Sequence, residues 1–210
     1  MQPVVSIIIP YNVDRGYLFD SIHSVNTQTY KGEIQLILEH SPNTVGYNIN
    51  EGLRKATGKY VKYFAEDDWL EPTCIEDSVN FLESTPYRWM HSNSHIIQWD
   101  GNRKGAKSMH VPPFNPSMAH MLHHNYIHGG TVMYERSLFD EVGGFDEDLR
   151  TGEEYEFYLR LYDKGILPGY LDSFTFNYRM HSKQKSLGNK DVQYQAWRRE
   201  VVESIKNRYR

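Results

Sequence analysis

Residues 60–70 read Tyr60-Val61-Lys62-Tyr63-Phe64-Ala65-Glu66-Asp67-Asp68-Trp69-Leu70. A short run of β-branched and aromatic residues gives way almost at once to three consecutive acids. The run reads as a strand. Adjacent carboxylates repel one another, which is costly unless they face water or a cation. Two readings follow: a solvated turn whose Asp68 caps the next helix, or a set of hard oxygen ligands suited to Mg²⁺ or Mn²⁺.

The flanking sequence decides where those acids stand. Upstream, Val4-Val5-Ser6-Ile7-Ile8-Ile9 is a buried-type strand ended by Pro10, and Leu18, Ile22 and Val25 mark one face of a helix over 16–28. A second strand, Ile34 to Leu38, is followed by a loop at Ser41-Pro42-Asn43 and a helix over 46–56 that stops at Gly58. Downstream, residues 71–84 read as a helix with Pro72 in its first turn. Strand, helix, strand, helix, strand at this spacing predicts right-handed crossovers and a parallel sheet. The three acids then lie at the carboxyl end of the third strand, where open α/β sheets bind ligands.

The second half is less regular. A strand is expected over 88–99, a turn at Asp100-Gly101-Asn102 and a partner strand beyond it. Pro112, Pro113 and Pro116 break the chain before a short histidine-rich helix and a strand near 130–134. Helices are expected over 136–142 and 153–163, extended chain over 169–179, and a terminal helix over 191–208 with Val192, Trp197, Val201 and Ile205 as its apolar stripe.

The 210 residues carry a net charge of −4. That length suits one domain or slightly more, at roughly 150 residues per domain. The single cysteine, Cys74, excludes an intrachain disulfide framework and a four-cysteine zinc site. No stretch approaches a membrane span, and the N-terminus lacks the cationic head of a signal peptide, so a cytoplasmic location is expected. Mild acidity argues against nucleic acid as a partner. The charge is segregated, however. Residues 66–77 hold six acids and no base, residues 135–156 hold nine acids against Arg136 and Arg150, and the rest of the chain carries +9.

The second acidic window contains Gly143-Gly144-Phe145-Asp146-Glu147-Asp148-Leu149 and then Gly152-Glu153-Glu154-Tyr155-Glu156-Phe157-Tyr158-Leu159-Arg160-Leu161. A glutamate in the first turn of a helix is favoured by the helix dipole, and it could equally be a general base held at a cleft. A third motif, Tyr178-Arg179-Met180-His181-Ser182, closes a strand.

Together these motifs resemble a small glycosyltransferase of family 2 with the GT-A fold. The residues that carry the resemblance are Pro10-Tyr11-Asn12, Asn50-Glu51-Gly52, Thr57-Gly58-Lys59-Tyr60, Asp67-Asp68-Trp69-Leu70, Gly143 to Glu147, Glu153-Glu154-Tyr155, Leu159-Arg160-Leu161 and Tyr178-Arg179-Met180-His181, spread from Val4 to Ser186. Each motif is weak alone; their order and spacing are specific. The resemblance implies an α/β fold with a Rossmann-like nucleotide-binding half over 1–85 and a mostly parallel central sheet. A smaller metal and acceptor half would span 86–187 and a C-terminal helix 188–210. It implies inverting transfer from a nucleotide sugar, UDP-linked by preference, to a glycan or other hydroxyl acceptor, assisted by Mn²⁺ or Mg²⁺.

The same resemblance assigns residues. Glu154 is the expected base, and Asp67, Asp68 and His181 the expected metal ligands. Pro10, Tyr11, Asn12, Glu39, Asn50, Glu66 and Asp67 are expected at the nucleotide sugar, and Trp69, His128, Gly129, Gly130 and Glu153 at the acceptor. There are departures. The first Asp of the family's Asp-x-Asp falls on Ala65, the base is Glu rather than Asp, and the second strand ends in Glu39-His40 where the family has Asp-Asp.

Other classes stay open. The loss at Ala65 suits a decayed binder of sugar nucleotides or glycans. Clustered acids also suit a divalent-metal nucleotidyltransferase, although no phosphate-cradling glycine loop or catalytic lysine is evident. His120, His123, His124 and His128 suggest zinc, but no nearby acid or cysteine completes a site. Trp69, Tyr155 and Trp89 are aromatic candidates for stacking on a sugar. The basic terminal helix (Arg198, Arg199, Lys206, Arg208, Arg210) reads as a docking helix, with peripheral membrane contact, further domains or a homo-oligomer left open.

Overall fold

The computed structural model describes residues 2–98, 106–109, 116–182, 184 and 192–210. The expected turn at 100–102 and the prolines at 112 and 113 lie outside them, as do the side chains of Val192 and Trp197.

The first half alternates strands and helices as its periodicity predicts: β1 (Val5–Tyr11), α1 (Leu18–Asn26), β2 (Ile34–His40), α2 (Val45–Lys55) and β3 (Tyr60–Tyr63). β1 lies between β2 and β3 and is parallel to both. Its alternate side chains enter two cores: Ile8 packs on the α2 side, and Val5, Ile7 and Ile9 on the other. Each such isoleucine, fully buried, contributes about 2 kcal/mol relative to exposure.

After β3 the chain makes the acidic turn and forms β4 (Trp69–Leu70), a two-residue strand, before α3 (Cys74–Ser84). Then follow β5 (Trp89–Gln98), β6 (Ala106–Met109), α4 (Met118–His123), a 3₁₀ turn over Gly129–Thr131, β7 (Met133–Glu135), α5 (Ser137–Val142), α6 (Glu153–Asp163), β8 (Gly169–Met180) and α7 (Val192–Arg208). Among the described residues, eight strands form one sheet in the order β2-β1-β3-β7-β5-β8-β4, with β6 on the edge of β5. β7 runs antiparallel to both β3 and β5, whereas β5 and β8 are parallel. A single sheet therefore crosses the residue-85 boundary. β4 joins it by pairing Trp69 and Leu70 with Asn177 and Phe176 of β8.

The aromatic residues concentrate in the core on the α6 side of the sheet. Trp89, Tyr134, Phe139, Phe145, Phe157 and Tyr158 stack or meet edge to face there. Trp89 is fully buried and its indole N–H donates to the Ile166 carbonyl, so it is not available to a sugar. Of the terminal helix, Ile205 is fully buried and Val201 packs on the same core, and the Tyr209 hydroxyl bonds Glu156 Oε1 at 2.6 Å.

Candidate active site

Two adjoining cavities lie at the carboxyl ends of β1 and β3. One, of about 770 Å³, is lined by Pro10, Tyr11, Asn12, Arg15, Thr44, Asn48, Glu66 and Arg150, among others. The second, of about 440 Å³, is lined by His123, His124, Asn125, Glu153, Tyr155, Gln184 and Lys206, among others. Val45, Ala65, Asp67 and Glu154 line both. The two acidic windows therefore meet in one cleft.

The acidic turn is held from beneath. Ser21 of α1 is buried, with Oγ 2.6 Å from the Glu66 carbonyl and 2.7 Å from that of Asp68. Glu66 is 4% exposed and ion-pairs with Arg15. Burial first, then the neighbouring Asp67, raise its pKa, and Arg15 opposes them. Asp68 is also 4% exposed, and its Oδ1 accepts the Arg179 backbone N–H at 2.8 Å. Burial, then Asp67, hold its carboxyl well above the usual carboxylate range. Asp67 is the least buried of the three and the one that lines both cavities, with Oδ2 2.9 Å from Nε2 of His181.

That pair is the metal-ligating chemistry the structure offers. A carboxylate oxygen and an imidazole nitrogen side by side could hold Mn²⁺, whereas Mg²⁺ would draw on the carboxylate and water. Among the described residues no three His, Cys, Asp or Glu side chains converge as a ready-made cage, for zinc or any other ion. Of the three expected ligands, Asp67 and His181 are brought together, whereas Asp68 commits one oxygen to the backbone of β8.

Glu154 sits in the first turn of α6, which begins after Gly152 in the left-handed region (φ 79°). A Cβ built on Gly129 would overlap the Glu154 carboxylate, so the absence of a side chain there makes room for it. Its charge also raises the pKa values of Tyr63, Tyr134 and Tyr158, each already raised more strongly by burial. Beneath the 3₁₀ turn, Lys62 of β3 is fully buried and donates to the carbonyls of Gly130 (2.6 Å) and Val132 (3.3 Å). Burial lowers its pKa.

Several expected site residues lie elsewhere. Asn50 binds the main chain of Phe145 with both ends of its amide: Nδ2–H to the carbonyl (2.9 Å) and Oδ1 from the N–H (2.8 Å). It fastens the glycine turn to α2 and does not line the cleft. Glu39 is 7% exposed and bonded to Lys55 at 2.7 Å, outside both cavities. Trp69 lines a separate groove of about 620 Å³, beside Asp20, Glu71 and Arg179. His128 and Gly130 pack against Phe176 rather than lining either cavity. Burial, then Lys62, lower the His128 pKa to about 4. Glu153 lines the second cavity.

Other lining residues were not assigned to the site from the sequence. Arg15, Arg150, Thr44 and Asn48 bound the first cavity. Lys206 and Val202 bring α7 to the second. Arg150 carried one signal: it is one of only two bases in the second acidic window.

The glycosyl transferase family 2 profile matches residues 28–143. An uncharacterized glycosyltransferase of Rickettsia felis is 26% identical over 221 residues, covering 88% of this chain and 35% of the relative. One from Haemophilus influenzae is 27% identical over 220 residues, covering 88% of this chain and 68% of the relative. The chain spans 31–59% of the length of several other Rickettsia relatives. Among solved structures, S. aureus TarS 1-349 in complex with UDP-GlcNAc superposes with a TM-score of 0.68 at 12% identity, covering 96% of this chain and 66% of that one. That likeness establishes the GT-A architecture. With more than half its length matched by the profile, this chain belongs to glycosyl transferase family 2.

Proposed function

We propose that the cleft transfers a sugar from a nucleoside-diphosphate sugar, UDP-linked by preference, to a hydroxyl acceptor, with inversion. The observation that carries this reading is that Asp67 and Glu154, from the two separate acidic windows, line the same two adjoining cavities. The larger cavity suits the donor: Tyr11 stacks on His40 at its edge, and Arg15 and Arg150 supply cations for a diphosphate. The N-terminus of α2, capped by Thr44, opens on the same cavity and favours an anion there. That the TarS neighbour binds UDP-GlcNAc supports a UDP-sugar.

Glu154 accepts the acceptor hydroxyl proton as the new oxygen–carbon bond forms and the bond to the diphosphate breaks, releasing the nucleoside diphosphate. The missing side chain at Gly129 leaves the space that this carboxylate occupies. A divalent cation on Asp67 and His181 would offset charge on the departing diphosphate. The smaller cavity, with Glu153, His123, His124 and Lys206, takes the acceptor.

The test is release of UDP from a panel of UDP-sugars with Mn²⁺, with and without candidate acceptors. Glu154→Gln should lower kcat by about 10³-fold with nucleotide affinity retained. Asp67→Ala should weaken Mn²⁺-dependent nucleotide binding. Wild-type turnover in Glu154→Gln would remove the base assignment. A wild-type chain that binds UDP and Mn²⁺ yet releases nothing would instead be a binder that has lost catalysis, the reading that Ala65 in the shared wall keeps in play.

A further inference from the structure

Arg179 is a buried cation that the chemistry above does not use. It lies on β8, 1% exposed, and two of its N–H groups end on the acidic turn and a third on α1. The Nε–H donates to the Asp67 carbonyl at 2.7 Å, and the backbone N–H donates to Asp68 Oδ1 at 2.8 Å. Nη2 meets Asp20 of α1 at 2.7 Å. The guanidinium lies between two rings, with Cζ 4.3 Å from the centroid of Tyr17 and 4.7 Å from that of Trp69. Two residues on, His181 takes the Asp67 carboxylate. One strand end therefore grips Asp67 by its carbonyl and its carboxylate together.

We propose that Arg179 is a positioning residue, which sets the orientation of the Asp67–Asp68 segment so that the Asp67 carboxylate faces the donor. Trp69 and Tyr17 form its seat, so Trp69 serves the site from behind, through Arg179, rather than by touching the acceptor. The geometry demands arginine: a planar fork fits between two rings and donates in two directions, which a lysine ammonium on a flexible stem cannot do. The inference rests on the sugar-nucleotide reading for its consequence, and on the contacts alone for the ordering of the turn.

The experiment uses the full chain, as wild type and as Arg179→Met, Arg179→Lys and Asp20→Asn. Folding is checked by circular dichroism, Mn²⁺ binding in the presence of UDP is measured by calorimetry, and hydrogen exchange is followed over 60–72 without metal. Arg179→Met and Arg179→Lys should both bind Mn²⁺ with UDP about tenfold more weakly and lose exchange protection at 66–70 while keeping it in β1. A general loss of stability would not confine the change to that turn. Asp20→Asn should show the same changes at a few-fold. Should Arg179→Met fail to fold, Asp20→Asn, whose side chain is half-exposed on α1, decides alone. Wild-type affinity and protection in Arg179→Met, or in Asp20→Asn where that variant decides, overturn the proposal, as does full rescue by Arg179→Lys. If the wild type binds neither UDP nor Mn²⁺, the sugar-nucleotide reading fails, and the exchange data still decide whether Arg179 holds the turn.

Discussion

At position 129 a single hydrogen in place of a side chain leaves the space that the Glu154 carboxylate fills. Gly129→Ala should therefore displace the base while leaving the donor cavity intact. The expected result is a fall of about 10²-fold in kcat with little change in UDP affinity, read by transfer kinetics and calorimetry. An unchanged kcat would show that Glu154 is not held there for catalysis. Asp67, Glu154 and His181 were legible because each belongs to a motif whose order and spacing are distinctive. Arg15 was not, since a lone arginine in a loop carries no pattern, and Arg150 showed only as an isolated base in an acidic window. Glu39, Asn50 and Trp69 lie outside the two cavities for one shared reason. Sequence gives a residue its position on an element, but side-chain direction is set by neighbours: Lys55, the Phe145 backbone and Arg179 respectively.

At the scale of elements, the strand and helix succession of the first half was readable because apolar periodicity is strong in β1, β2 and α2. β4 was invisible: two residues are too few for any period, and they form a strand only because β8 offers a partner. The expected strand near 130–134 is a 3₁₀ turn followed by three residues of β7, since the carbonyls there turn to Lys62. The join between α2 and the glycine turn rests on Asn50. Asn50→Ala leaves the Phe145 N–H and carbonyl buried without their partner and should cost about 2 kcal/mol in urea denaturation. Because Asn50 lines neither cavity, donor KM should hold. A large rise in KM with stability intact would restore its assignment to the donor.

The whole molecule has a pH liability of predictable sign. His91, fully buried on β5, has no hydrogen-bond partner for either ring nitrogen among the described residues, and burial lowers its pKa to about 4. A histidine near 6.5 when unfolded and about 4 when folded contributes stability above pH 6.5 that is lost as pH falls towards 4. Between pH 7 and pH 5 that loss is about 2 kcal/mol for this one group. Glu66 and Asp68, whose pKa values are raised, act in the opposite sense, so the histidine must be isolated by substitution. His91→Met removes the titration and the unsatisfied nitrogens together. It should melt no lower than wild type at pH 7 and roughly 4–8 °C higher at pH 5 by scanning calorimetry. Equal melting at pH 5 would show that His91 does not titrate against folding.

The pairing of β3 with β7 also bears on the chain's birth. As the polypeptide leaves the ribosome, β1, α1, β2, α2 and β3 emerge first, a plausible parallel sheet with every helix it needs. One margin of that nascent sheet is β3, and the strand that covers it, Met133–Glu135, is synthesised some seventy residues later. Until then a buried-type strand presents bare amides and carbonyls to its surroundings, the kind of margin that pairs with strangers. The acidic turn waits longer still, for Arg179. Translation thus delivers the cleft's front wall long before the strand that shapes it, and this chain should depend on holding chaperones until its last third appears.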